Sequence, residues 1–409
     1  MKKIFFIIKK GVEMEYTFDS FSRRQDIEKF LKMIATKHED IIKIKMLKDF
    51  FSAPEVIAPM AGIIEILKVA GYEIEIDYNG NALRTSGLEN PLTVDHNKYE
   101  LLSPMYKVWK YHSAEEVSKI VSAYVKCLNE KAVCARGVID AFEWTVNEVM
   151  DNVLQHSKSQ FGYIACTATN NQHISVAVYD NGIGILKSFQ GSQYRFKTSE
   201  DAIVAAMKEG TTRDKNIGQG NGLWGMSKLV ANNKGLLNIS SDGAVIAIDN
   251  NNNLTKHKMH MITLLKLKQR IPGTLVDFQF QCNNEIDFSE VFGKEYQYSN
   301  LYLESLEDDA NRINVHVNDF SFGYATRTAG EQARNKVMNI ITQTEENQAI
   351  LIDFSGTGII ASSFADEFIG KLVGKLGFIQ FNNLIRVINV SKENVAIINR
   401  SVRQRLSME

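Results

Sequence analysis

The sequence predicts an α/β (α+β) chain built from more than one domain. Three observations carry that expectation. The chain has 409 residues, more than a single hydrophobic core usually serves. Both ends alternate apolar strand patterns with amphipathic helix patterns, the signature of α/β layers. The middle runs from two long helix patterns into strands broken by glycine turns.

The bulk numbers narrow the function classes. Apolar residues make up 44% and charged residues 23%, an ordinary globular balance. A formal net charge of -1 gives no general electrostatic pull, so neither nucleic acid nor membrane is expected as a partner. Cys127, Cys134, Cys166 and Cys282 form no CxxC pair and no His stands at zinc-ligand spacing from them, which points to a reducing cytoplasm. The run Ile4 to Ile8 between lysines is too short for a signal core or a membrane span, and Met14 offers an alternative start.

Taken in order, residues 22–36 read as a helix and residues 42–47 alternate as a strand. Ser52-Ala53-Pro54-Glu55 reads as a helix start with Ser52 as cap, Gly71 stops that helix, and residues 72–78 alternate again. Residues 1–100 are thus expected to form one α/β domain, with its boundary in the weakly patterned stretch 84–103. Residues 101–282 follow as a second domain: helices over 113–129 and 135–156, strands over 161–169 and 174–179, a long polar segment, and a helix over 223–232. Residues 283–409 form a third, with strands at 313–317, 349–354 and 384–389 and helices over 330–342 and 363–376. The two end domains share one pattern of apolar strand, Ser near the turn and apolar helix, which reads as a distant repeat.

Four features of the middle carry chemistry. In the helix over 135–156, Ile139, Phe142, Val146, Val149 and Val153 form an apolar stripe. Thr145, Glu148, Asn152 and His156 form a second stripe beside it. Glu148 and Asn152 are one turn apart, so both can face one pocket; the amide oxygen suits a hard divalent cation and the carboxylate can take a proton. Alone, that stripe reads first as a solvated helix face, since Glu and Asn are common there. Asp180 ends an apolar strand, where a carboxylate can accept a hydrogen bond from an exocyclic amine such as that of adenine. Gly182 and Gly184 let backbone approach a flat ligand closely. Gly218, Gly220, Gly222 and Gly225 lead into a helix whose free N–H groups suit phosphate oxygens, yet the spacing fits neither the P-loop nor the dinucleotide fingerprint. Gly273-Thr274 opens a further strand, and the Thr274 hydroxyl could support Asp180 through a water.

In order and spacing these features resemble the GHKL ATPases, the superfamily of gyrase, chaperone, histidine-kinase and MutL type. Glu148 to Ser157 looks like the N box, Asp180-Asn-Gly182-Ile-Gly184 like the first glycine box, Gly218 to Gly225 like the second, and Gly273-Thr274 like the final element. The resemblance covers about residues 110 to 280. It implies a GHKL-type α/β sandwich with a mixed sheet, binding ATP and Mg2+. It further implies that Asn152 holds Mg2+, that Asp180 binds the adenine amino group aided by Thr274, and that Gly182 and Gly184 shape the adenine pocket. Gly218, Gly220, Gly222 and the backbone at Leu223 would cradle phosphate, under a lid over 186–219 whose Arg213 and Lys215 screen phosphate charge. Glu148 stands where hydrolysing and serine-phosphorylating members keep a glutamate. A histidine-kinase reading lacks its hairpin histidine, since His112 sits at a helix start.

The C-terminal residues Ala349-Ile-Leu-Ile-Asp353-Phe354-Ser355-Gly356 and Ala361 to Glu367 resemble the STAS-like domains found beside such ATPases, and Phe51-Ser52-Ala53-Pro54 looks STAS-like too. In related anti-sigma-factor antagonists a serine at this helix start is phosphorylated. Ser362 is the matching position, although Ala361 replaces the usual Asp, and Ser362 and Ser363 also read as helix caps. The expected function is an ATP-dependent switch that controls how the STAS-like flanks engage protein partners, a homodimer included. The alternatives are an anti-sigma-factor-type serine/threonine kinase and an ATP-binding adaptor without turnover.

Overall fold

A computed structural model of the chain describes residues 13–18, 24–36, 40–49, 53–169, 172–210, 222–259, 261–264, 269–271, 273–294, 300–320, 322–344 and 348–407. The fold is mixed α/β. The chain divides into two compact units. The first comprises 1–121, 145–167 and 175–279; the second comprises 122–144, 168–174 and 280–409.

The first unit opens with β1 (Glu13–Phe18), α1 (Arg24–Thr36), β2 (Ile41–Met46), α2 (Pro54–Val69) and β3 (Glu73–Tyr78). The three strands form a parallel sheet in the order β1-β2-β3, with Ile42 facing Met14 and Ile74. Period-2 alternation buries Met14, Phe18, Ile42, Ile44 and Met46 on one face. Helix α2 is apolar around most of its circumference: Val56, Ile57, Met60, Ile63, Ile64 and Leu67 are all fully buried, and Glu55, Glu65 and Lys68 are its charged positions. A helix of that kind must lie between two layers. Each such side chain contributes roughly 1.5–3 kcal/mol of transfer free energy, before the entropy of ordering is set against it. Pro54 opens α2 where its missing N–H costs nothing, and Gly71, at φ +85°, turns the chain away after it. Ser52, expected as the cap, lies outside the described residues. The cap position is Ala53, which makes no capping hydrogen bond.

The central sheet has seven strands: β4 (Val108–Tyr111), β5 (Gly162–Thr169), β6 (His173–Asp180), β7 (Leu236–Ser241), β8 (Ala244–Ile248), β9 (Leu254–Lys258) and, after the β10 (Ile262–Leu264) and β11 (Gln269–Ile271) hairpin, β12 (Thr274–Gln281). Their order is β4-β5-β6-β12-β7-β8-β9. The helices of this part are α3 (Ala114–Lys131), α4 (Val138–Asn152), α5 (Ile185–Ser188), α6 (Ser199–Ala206) and α7 (Gly222–Asn232). One face of the sheet, through Val108, Tyr163, Ala165, Ala177, Tyr179 and Leu275, shares a single hydrophobic core with α1, α2 and the N-terminal sheet. The stretch 84–103 has no strand, yet Leu88 and Val94 are buried and Ser86 accepts the Val108 N–H.

The second unit holds α8 (Phe288–Phe292), α9 (Leu301–Glu304), β13 (Ile313–His316), α10 (Arg327–Gln343), β14 (Ile350–Asp353), α11 (Ser362–Ala365), α12 (Lys371–Leu376), α13 (Phe378–Leu384), β15 (Ile385–Ile388) and α14 (Lys392–Leu406). The strands again form a parallel sheet in chain order, β13-β14-β15. The expected repeat therefore has a structural counterpart: residues 13–78 and 313–388 each set three parallel strands in sequential order. Two wholly or nearly buried asparagines of α10 bond backbone of the α3–α4 connection. Asn339 Nδ2 donates to the carbonyls of Asn129 (3.2 Å) and Ala132 (2.6 Å) and its Oδ1 accepts the Cys134 N–H at 2.7 Å, while Asn335 donates to Glu130 O.

The four cysteines are buried and unbridged. Among the described residues no helix is long and apolar enough to cross a membrane.

Candidate functional site

Helix α4 presents two stripes, as its spacing predicts. Ile139, Phe142, Val146, Val149 and Val153 are buried. The second stripe is not a solvated face: Thr145 is fully buried, and Glu148, Asn152 and His156 are half-buried. Burial, and then the nearby Asp151 carboxylate, raise the pKa of Glu148 above the ordinary carboxylate range. Among the described residues, the buried Asn152 Nδ2 and Thr145 Oγ1 have no hydrogen-bond partner, and a buried N–H donor left over in this way calls for an acceptor.

Gly222, the first residue of α7, meets this stripe. A Cβ placed on it would stand 2.5 Å from Glu148 Oε2 and 3.4 Å from Asn152 Nδ2. The start of α7, a carboxylate and a carboxamide therefore face one space. After Asn152 the helix widens into a π-helical turn over Val153–Ser157 and ends on Lys158 at φ +57°. Such turns re-aim side chains and recur at functional sites. The turn delivers the Ser157 carbonyl to the Ile183 N–H at 2.8 Å, which ties the end of α4 to the glycine loop after β6.

Asp180 closes β6 with 4% of its surface exposed. Its Oδ1 accepts the Gly182 N–H at 2.7 Å. Burial pushes its pKa up to about 7, against the Gly182 hydrogen bond and aided by Asp242. The neighbouring glycines are there for close approach. A Cβ on Gly182 would collide with Ser157 O and lie 2.7 Å from Asp180 Oδ1, one on Gly184 (φ +80°) would strike the Asp242 carboxylate, and one on Gly273 would strike Asp180 O. Thr274 lies 3.1 Å, hydroxyl to hydroxyl, from Ser241, which accepts the Ile185 N–H at 2.9 Å. The buried Tyr111 hydroxyl donates to Met150 O on α4 and is raised by burial and by both Asp180 and Asp151, so the strand end and the helix lie within electrostatic reach of one tyrosine.

The structure thus brings Glu148, Asn152 and Gly222 together as one group, and Asp180 with Gly182 and Gly273 as another, with Gly184 against Asp242 and Thr274 against Ser241. Leu223 packs beside the small cluster of Phe189, Ala202 and Ala206, with Tyr194 and Phe196, in the segment between the glycine boxes. In that segment Thr198 caps α6 through the Asp201 N–H. Gly218, Gly220, Arg213 and Lys215 lie outside the described residues. Sequence reasoning passed over Ser241, Asp242 and Tyr179, which surround the Asp180 loop. A positive φ of 52° at Asp242 marks a tight β7–β8 turn, for which Asp-Gly is the sequence signal.

On the C-terminal domain, Ser362 begins α11 with Ala361 at the cap, and no side chain caps the helix. The capping reading of Ser362 and Ser363 is therefore corrected: capping needs a side chain one position earlier, where the chain has a methyl group. Ser362 is exposed.

Residues 335–395 match the family described as STAS-like domain of unknown function (DUF4325). The C-terminal part carries a STAS-like domain, a type of module that points to regulation through protein partners. No curated protein matches the chain. Among solved structures, the crystal structure of full-length ShkA in complex with AMPPNP is similar at 11% identity, over 86% of this chain and 69% of that chain, with a TM-score of 0.23. A score that low carries no argument about this fold or its ligand.

Proposed function

We propose that residues 101–282 form a GHKL-type nucleotide-binding domain that takes Mg-ATP, and that it works as a switch governing how STAS-like domains at 283–409 and 1–100 engage protein partners. The observation that carries this reading is the convergence of Glu148, the orphaned Asn152 amide and Gly222 on one space, with a buried Asp180 at the neighbouring strand end. Asp180 would accept from the adenine amino group, with Thr274 in support. Gly182 and Gly184 would shape the adenine pocket. Gly218, Gly220, Gly222 and the Leu223 backbone would receive phosphate, with Arg213 and Lys215 of the lid screening its charge. The Asn152 side-chain oxygen would hold Mg2+, which neutralises phosphate charge when bound, while its Nδ2 would donate to a phosphate oxygen. Glu148, its pKa raised by burial, is suited to orient water and take its proton during attack on the γ-phosphorus.

A second reading has a specific observation behind it. Ser362 stands exposed at a helix start with its hydroxyl unused in capping, as a phosphoacceptor for a serine kinase would. Incubation of the full chain with Mg2+ and γ-labelled ATP separates the readings. Release as inorganic phosphate, lost in Glu148→Gln with binding retained, supports the switch. Label retained on protein and absent from Ser362→Ala supports the kinase. Binding without either outcome leaves an ATP-binding adaptor.

A further inference from the structure

Asp180 sits between two residues that tie its strand end to the N-terminal helix α2. Alternation along β6 puts Tyr179 on the face that packs against α2 and Asp180 on the opposite face. The Tyr179 hydroxyl donates to Asn181 Oδ1 at 2.6 Å and accepts the Gly273 N–H at 3.2 Å. Asn181 Nδ2 then donates to the carbonyl of Gly62, in the middle of α2, at 3.0 Å. Gly62 has no positive φ; its bare Cα is required because a Cβ would lie 2.6 Å from the Tyr179 ring. One turn on, Glu65 accepts from the Tyr163 hydroxyl at 2.7 Å and pairs with Lys110 at 2.9 Å. Polar anchors on an otherwise apolar buried helix do little for net stability but select one register.

We propose that α2 is a working part of the nucleotide site. Tyr179 and Asn181 are positioning residues that hold the Asp180 carboxylate and the Gly273 backbone in place, and α2 is the surface they are braced against. The inference rests on the nucleotide reading above and extends it. Docking of the N-terminal α/β layer and recognition of the adenine amine become linked, and by reciprocity a bound nucleotide strengthens the docking of α2.

The test compares affinity of the full chain for ATP and for the purine riboside triphosphate that lacks the 6-amino group. The ratio reads the Asp180 contact alone, because a general loss of folding weakens both ligands alike. The wild type should prefer ATP. Tyr179→Phe, which keeps the ring packing, and Asn181→Ala should each reduce the preference at least fivefold, and Gly62→Ala should do the same from the α2 side. Asn339→Ala, whose bonds are to the 129–134 backbone and not to α2 or the Asp180 loop, should lower Tm and leave the preference within twofold. An unchanged preference in Tyr179→Phe and Asn181→Ala overturns the inference while leaving nucleotide binding intact. A wild type that binds neither ligand overturns the nucleotide reading itself, and this inference with it.

Discussion

Glu148 and Gly222 face each other so closely that a Cβ on the glycine would stand 2.5 Å from the glutamate Oε2. The obstacle is the end of a flexible side chain, so Gly222→Ala should fold normally while turning the Glu148 carboxylate aside. Turnover of ATP should fall about a hundredfold, the lower end of what a general base contributes. Affinity for ATP should fall less than turnover, because the backbone N–H groups that face phosphate remain. Steady-state phosphate release and calorimetric titration of the same preparation check both statements, and unchanged turnover would remove Glu148 from the reaction.

The burial of Asp180 makes a pH-dependent prediction. Its carboxyl titrates near 7 in the fold and near 3.9 in an unfolded chain. Between those values the folded state holds the proton and the unfolded state does not, so this group favours the fold at low pH and loses that contribution as pH rises to about 7. Asp140, pushed up to about 6 chiefly by burial, acts in the same direction. Asp180→Asn should therefore gain stability over wild type at pH 8, by roughly 2–4 kcal/mol, and the gain should vanish near pH 4. Denaturant melts of both proteins across that range supply the measurement. A pH-independent difference would contradict the burial of an ionisable carboxyl.

In the second unit, Asn339 satisfies three backbone groups of the α3–α4 connection. Asn339→Ala removes all three of these buried bonds. The expected cost is about 3–5 kcal/mol in the unfolding of that unit, since each unsatisfied buried group costs about 1–3 kcal/mol. Asn335→Ala, which removes a single bond to Glu130 O, should cost about 1–2 kcal/mol. Equal, small effects from both would show that these contacts do not hold α10 in place.

Much of this was legible in the sequence, for physical reasons. The stripes of α4 follow from 3.6-residue periodicity, and the buried run of β14 from its unbroken apolar residues. The glycines around Asp180 read as places where backbone approaches a ligand, whereas in the fold they make room for Ser157, Asp242 and Asp180 of the chain itself, contacts no local pattern reveals. Helix α14 leaves little trace in the sequence because its buried positions include Asn394 and Ser401 beside Ile398, so hardly any apolar stripe forms. Strand β9 is exposed at all five residues and has no alternation to find. The Asn181–Gly62 bond joins residues 119 apart, and Asn339 sits mid-helix where an asparagine reads as surface. Tertiary pairing decides such contacts, and no local pattern encodes them.

The most direct test of the central claim is calorimetric titration of the full chain with Mg-ATP, wild type beside Asp180→Ala. Loss of a buried acceptor opposite the adenine amine should weaken binding by about 1–3 kcal/mol, roughly fivefold to 150-fold in Kd. Equal affinity in the two proteins, or no binding by the wild type, would contradict the account.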